Sequence, residues 1–382
     1  MQKLNLFIVC AFTFFYSAHI NAQVPDSLSV LDTNSINVNE NNVVMNCTPT
    51  PRAQQVFENQ KSNQRFYDRV LNYWDPSWAS PPYADLGSEK GSYIMSADIQ
   101  PLFTIGGEKL RPVFFFTPRY MVRIFRDNPE FNDKSFPVRT PSFMPGGGFF
   151  YPFRRIKNPY QNVEYLSVKL THHSNGQDGA AFNGDGSFNT HDGNFATNFV
   201  EVGLNFNWRD KIVTTDTTFC SQCSGGNSES DMKSSYYDYF GKIAFEQHFM
   251  TADSLIGIYG QSRVNVKLGF IKVINHRWRV KEDAASPWST VGACYLKESF
   301  RLTAQASMIV DDLKGFHSDF ERRINFELSA YLPFLSGNTA FFITGGYYGS
   351  DPYNVYFEKK YFFVRAGLAL GNFIRAKKTG KS

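Results

Sequence analysis

His172, Ser174 and Asn198 are the residues of this chain whose types and spacing could do chemistry. A serine hydroxyl becomes a nucleophile when an imidazole within reach takes its proton, and the imidazole serves best when a third group fixes its tautomer. His172 and Ser174 stand two apart in Thr171-His172-His173-Ser174-Asn175-Gly176. On a strand, residues two apart leave from the same face. Asn198 opens the next alternating segment with the same parity, and its carboxamide could accept a hydrogen bond from the imidazole. Asn194 shares that parity and is the second candidate. Glu201 would be chemically the better orienter, but its parity sends it to the opposite face. The chemistry implied is nucleophilic attack on an acyl group.

The segment that positions the pair alternates strictly. Leu166, Val168, Leu170, His172 and Ser174 fall on one face, with Tyr165, Ser167, Lys169, Thr171 and His173 on the other. The pair thus sits on the apolar face, where polar side chains are costly unless they do something. The same two-residue period returns at 198–208, 256–270, 301–309, 324–332 and 362–370, with Glu201, Arg263, Lys267, Gln305, Glu327 and Arg365 on the polar sides. Segments of about ten residues with one charged and one apolar face suit an antiparallel transmembrane β-barrel. Aromatic residues make up 16% of the chain, Phe alone numbering 38, yet mean hydropathy is −0.34. Alternating strands with aromatic girdles reconcile those two facts.

Compartment follows from the start of the chain. Met1-Gln2-Lys3 is basic, Leu4 to Ser17 is apolar, and Ala22 offers a small residue for cleavage. Residues 1–22 read as a secretory signal peptide. The expected organisation is a periplasmic extension over 23–90 that could include a first strand, an outer-membrane barrel over 91–374, and a basic tail over 375–382. Residues 175–197, rich in Gly, Asn, Asp and Ser, read as a long extracellular loop. Short turns are expected at Leu335–Asn338 and Thr251–Ser254. Export permits a local Cys220–Cys223 disulfide, and no second pair completes a zinc site. A net charge of +4 without clustering gives no sign of nucleic-acid binding. His173, His191, His248 and His317 read as ordinary structural histidines.

His172-His173-Ser174-Asn175-Gly176 resembles the His-x-Ser-Asn-Gly signature of the outer membrane phospholipase A family. Ser135-Phe136-Pro137-Val138-Arg139, Gly346-Tyr347-Tyr348-Gly349, Tyr353-Asn354 and the final strand resemble further stretches of that family. The resemblance covers roughly 91–208 and 322–374. It implies an outer-membrane barrel of twelve strands, calcium dependence, phospholipid substrates and activation as a homodimer. By position it implies His172 as base, Ser174 as nucleophile, Asn198 as orienter and the Gly176 amide as oxyanion donor. It likewise implies Gln177, Asn194 and Ser135 of a second subunit as calcium ligands. The chain departs from the family's pattern between Ser174 and Asn198, where 23 residues intervene. Asp185 and Asp192 in that insertion are further oxygen donors. Two other readings stand beside this one: a lipid A deacylase-like barrel with an acidic third member, for which an outward Glu201 would speak, and a non-enzymatic porin or transport barrel.

Overall fold

The computed structural model describes residues 66–81, 85–86, 93–105, 112–125, 138, 140–156, 161–211, 236–281, 290–334 and 338–374. All lie in the compact unit Pro51–Ser382. The signal peptide, Cys47, Cys220, Cys223, Ser135 and the C-terminal tail fall outside the described residues, as does the side chain of Cys294.

The strands are β1 (Ser77–Ser80), β2 (Asp85–Leu86), β3 (Tyr93–Ile99), β4 (Phe103–Ile105), β5 (Val113–Phe125), β6 (Ser142–Pro152), β7 (Val163–Ser174), β8 (Ala196–Lys211), β9 (Tyr236–Phe249), β10 (Ser262–Lys281), β11 (Thr290–Ile309), β12 (Ile324–Phe334), β13 (Thr339–Tyr348) and β14 (Tyr361–Leu370). Each of β5 to β14 pairs antiparallel with its sequence neighbour, β3 joins β5 to β1, and β1 pairs with β14. Twelve strands therefore close a barrel. The short β2 pairs with β14 in line with β1, and β4 pairs with β5 in line with β3. Closure leaves no strand edge for solvent or lipid to satisfy. The barrel begins at Ser77, so its first strand lies inside the segment that the sequence assigns to the extension.

The faces divide as the alternation requires. Leu170, Leu204, Ile243, Leu268, Leu332, Phe341, Ile343 and Leu370 are all more than half exposed on the outer wall. Buried inside are Ser167, Thr171, Glu201, Asn207, Asp238, Arg301, Thr303, Ser329 and Arg365. Two packed sheets would bury the apolar set instead, so the alternating periods belong to a barrel with its polar side within. Among the described residues no helix is long and apolar enough to cross a membrane.

Both mouths are stoppered. A helix over residues 66–73 lies inside the end opposite His172. Its Phe66 and Val70 pack on Phe115, Phe150 and Tyr165, while the Tyr73 ring stacks on Phe240 at 4.7 Å. The Tyr73 hydroxyl donates to Asp238 (2.9 Å), and Arg69 pairs with the same carboxylate (3.8 Å) and with Asn207. At the other mouth, Phe188, Phe195, Leu255, Tyr259, Val355 and Phe357 form a buried cluster contributed by three loops. Burying each large apolar side chain stabilises by roughly 1.5–3 kcal/mol, which turns these loops into a cap. Between plug and cap lies a cavity of about 380 Å³.

Several expectations are corrected here. Residues 256–261 are not strand; β10 begins at Ser262, and Ile256 and Ile258 belong to the loop between β9 and β10. That loop is no tight turn, because it holds a 3-10 turn at Asp253–Leu255 that buries Leu255 in the cap. It also lies at the His172 end, since Phe249 pairs with Asn198. The expected turn at 335–337 falls outside the described residues; the flanking strand ends Phe334 and Thr339 pair at the end opposite His172. Loop length alone does not assign the ends: Lys211 and Tyr236, far apart in sequence, are strand ends that pair opposite the site.

Candidate active site

β7 carries His172 and Ser174 on its outward face, as the alternation predicts. His173 and Thr171 are buried on the inner face, whereas His172 and Ser174 are partly exposed. The β7–β8 register sets His172 directly opposite Asn198 and Ser174 opposite Ala196. Directly opposed residues are a few ångströms apart at Cβ, so the two polar side chains must meet on the outer wall. They do: His172 Nδ1 lies 2.9 Å from Asn198 Oδ1. A carboxamide oxygen only accepts, so the hydrogen sits on Nδ1. Nε2 is thereby left with its lone pair free, which is the tautomer a base toward serine requires.

Ser174 is the less settled member. Among the described residues its hydroxyl makes no hydrogen bond. Residues two apart on a strand are separated by roughly 6.6 Å along it, so the imidazole and hydroxyl must lean together to touch. Such contacts are commonly open until substrate arrives. On its other side Ser174 is opposite Phe143, a 42% exposed ring that packs against Tyr120 at 5.1 Å. Parity along Ser142–Pro152 could have marked Phe143 as a neighbour, but not the register that puts it beside Ser174.

The two residues after Ser174 divide the work. Asn175 is buried, and its side chain closes the base of the long loop. Its Nδ2 donates to the Gly193 carbonyl (2.7 Å), while its Oδ1 accepts from the amides of Phe195 (3.1 Å) and Gln177 (3.2 Å). Sequence reading placed Asn175 within the signature without giving it a role. Gly176 follows in the left-handed region (φ 71°), exposed, with the Phe143 ring 3.6 Å from where a Cβ would stand. Its N–H serves no described backbone acceptor. That leaves the amide available to an oxyanion beside Ser174.

Of the three calcium ligands expected, two can be placed. Gln177 and Asn194 lie on the two limbs of the loop base, which are joined by the Asn194 amide donating to the Gly179 carbonyl (3.2 Å). Asn194 is exposed and precedes β8, so it does not reach for His172; Asn198 does. Both placed residues offer neutral oxygen donors of the kind calcium accepts, though far fewer than the six to eight it takes. The described residues hold no group of three or more His, Cys, Asp or Glu suited to a metal. Asp185 and Asp192 are engaged within the loop itself. Asp185 accepts from the amide (2.9 Å) and hydroxyl (2.6 Å) of Ser187, bonds that hold its carboxyl below the usual range, and Asp192 accepts from Asn189 (2.6 Å).

Glu201 faces inward and is bound to Lys242 at 2.5 Å, so it is no partner for His172. Two of the histidines that read from sequence as structural have acidic neighbours. His248 Nε2 lies 2.7 Å from Glu246 and its Nδ1 3.0 Å from the Thr197 hydroxyl, while His317 lies 3.3 Å from Glu358. Thr197 and His248 are buried on the inner side of the wall, and Glu246 lies opposite the inward Glu201, so this group does not reach the outer face.

No protein-family model matches this chain, and no curated protein matches it either.

Proposed function

We propose that this protein is an outer-membrane phospholipase that cleaves acyl esters of glycerophospholipids with Ser174, His172 and Asn198. The single observation carrying the reading is the 2.9 Å contact between His172 Nδ1 and Asn198 Oδ1 on the outward face, two residues from a serine on that same face. Placed on an apolar wall, the group meets lipid, so its natural substrates are the esters of the surrounding leaflet.

In this scheme Ser174 Oγ attacks the ester carbonyl while His172 Nε2 takes its proton. The Asn198 carbonyl holds Nδ1–H and shares the charge of the imidazolium that forms. The Gly176 amide donates to the developing oxyanion. His172 then protonates the departing glycerol oxygen, and the lysophospholipid leaves. A water activated by the same Nε2 releases the fatty acid and restores Ser174. An Asn in place of an acid avoids setting a charge at the hydrocarbon boundary, where desolvation is expensive. Calcium would be held by Gln177 and Asn194, with Ser135 of a second copy, and would add positive potential beside the oxyanion.

The acidic-orienter alternative lacks its residue, because Glu201 points into the barrel and pairs with Lys242. A transport role is poorly served by a lumen occupied by the 66–73 helix at one end and by the loop cluster at the other. The test is hydrolysis of phospholipid in detergent by the purified chain, with calcium and with excess chelator. Release of fatty acid that needs calcium supports the reading. Absence of release under both conditions ends it.

A further inference from the structure

Three non-glycine residues among those described have positive φ: Thr140 (41°), Met250 (48°) and Asn354 (33°). All three lie at the active-site end. Thr140 leads into β6, Met250 follows the Phe249 that pairs with Asn198, and Asn354 lies in the loop between β13 and β14. A β-branched residue in the left-handed region is a rare and strained arrangement, held only where surrounding contacts insist on it. Thr140 and Asn354 insist on each other: Asn354 Nδ2 donates to the Thr140 carbonyl.

Asn354 is 1% exposed and sits within the barrel mouth. Its Nδ2 also donates to the Ser142 hydroxyl (2.9 Å), and Ser142 lies 3.2 Å from His173 Nε2. Ser142 and His173 are buried, and the His173 ring packs on Phe195 at 4.8 Å. His173 lies between His172 and Ser174 on β7. A chain of buried hydrogen bonds thus runs from the β13–β14 loop to the inner side of the segment whose outer side carries the reacting groups. The loop end of the chain is itself anchored, since Asp351 takes two bonds from Arg123 (2.6 and 2.8 Å).

We infer that Asn354 is a positioning residue for the Ser174 site, acting through Ser142 and His173; this rests on the hydrolytic reading above. With His173 held from inside, the backbone at 172–174 cannot rotate about the strand axis. The lean that brings His172 Nε2 to Ser174 Oγ is then set by the inner chain. Mispositioning of about 1 Å from a remote change can lower a rate by as much as 100-fold.

The test compares wild type, Asn354→Gly, Asn354→Asp, Ser142→Ala and Ser174→Ala in detergent. Glycine accepts the positive φ without strain, so Asn354→Gly removes the side chain and spares the backbone. Active sites are counted by covalent titration with a fluorophosphonate, and kcat per titrated site and KM are measured separately. The expected result is a fall in kcat per site of about tenfold or more for Asn354→Gly, a fall of the same sense for Ser142→Ala, and an unchanged KM. Asn354→Asp, which lacks the Nδ2 donor, should follow Asn354→Gly. A purely structural role would lower the titrated fraction and leave kcat per site as in wild type, and that result overturns the inference. Should Ser174→Ala keep wild-type hydrolysis, the hydrolytic reading falls and this inference with it. Should Ser174→Ala be inert while all the Asn354 and Ser142 variants match wild type, only the inference falls.

Discussion

Replacing Asn198 with alanine removes the side-chain hydrogen bond that holds His172 on the outer wall. Asn198 is only partly buried, and Ala196 beside it already shows that a small residue fits this row. The bond, at 2.9 Å, joins Nδ1–H to a carboxamide oxygen. It becomes charge-assisted when His172 holds the serine proton, and bonds to a charged partner are worth about 1.5–3 kcal/mol. Only the gain over the neutral bond, itself worth about 0.5–1.5 kcal/mol, raises the barrier; that gain of about 1–1.5 kcal/mol lowers kcat by roughly 5- to 13-fold, since about 1.4 kcal/mol is a factor of ten. KM should barely change, because the bond strengthens only as the reaction proceeds. Ser174→Ala and His172→Ala should fall further, on the order of 10³-fold or more. The assay is fatty-acid release with kcat and KM determined separately at saturating calcium. Asn194→Ala serves as the contrast: it should act through calcium affinity and recover at high calcium. Wild-type kcat in Asn198→Ala, with Asn194→Ala dead at saturating calcium, would refute the assignment and exchange the two roles.

Three further outcomes follow from the geometry. Asn175→Ala should destabilise the folded protein by about 1–3 kcal/mol, because it strands the Gly193 carbonyl and the Phe195 amide; urea unfolding checks this. Glu201→Gln should keep kcat within a few-fold of wild type, since the carboxylate faces Lys242 inside the barrel, and a large loss would reopen the acidic-orienter reading. Glu358 should make the cap acid-sensitive. Burial pushes its carboxyl up, but bonds from His317 and the Phe188 amide outweigh this and hold it below the ordinary glutamate value of 4.5. A lowered folded-state value means that its stabilisation is full above pH about 4.5 and is lost as pH falls below it. Proteolysis within 180–192 should therefore quicken below that pH in wild type, and Glu358→Gln should be cleaved faster already at pH 7.

The barrel is legible in sequence because outward-facing and lumen-facing residues must alternate along every strand of its wall. Along Val163–Ser174 the alternation is unbroken, and parity alone places His172 with Ser174 and excludes Glu201. Parity fails where an apolar loop imitates a strand. Ile256 and Ile258 continue the period of β10, yet Ile258 packs on the cap with Leu255 and Tyr259 and Ile256 is an exposed loop residue. The helix over residues 66–73 was readable in principle, because Phe66, Arg69, Val70 and Tyr73 keep a helical spacing. Its buried face is disguised by Arg69 and Tyr73, which a polar lumen can accept and a soluble core would not. His248 and Glu246 share a face at i, i+2 just as the reacting pair does, so the same rule finds their contact. The links from Asn354 to Ser142 and from His172 to Asn198 span 212 and 26 residues. Register decides such contacts, and a single sequence fixes register only where motif and parity coincide, as they do at Asn198.

The most direct test of the account is phospholipid hydrolysis by Ser174→Ala beside wild type, both shown folded by heat-dependent gel migration. The account predicts calcium-dependent release of fatty acid by wild type and a loss on the order of 10³-fold in the variant. Equal release by the two proteins would contradict it.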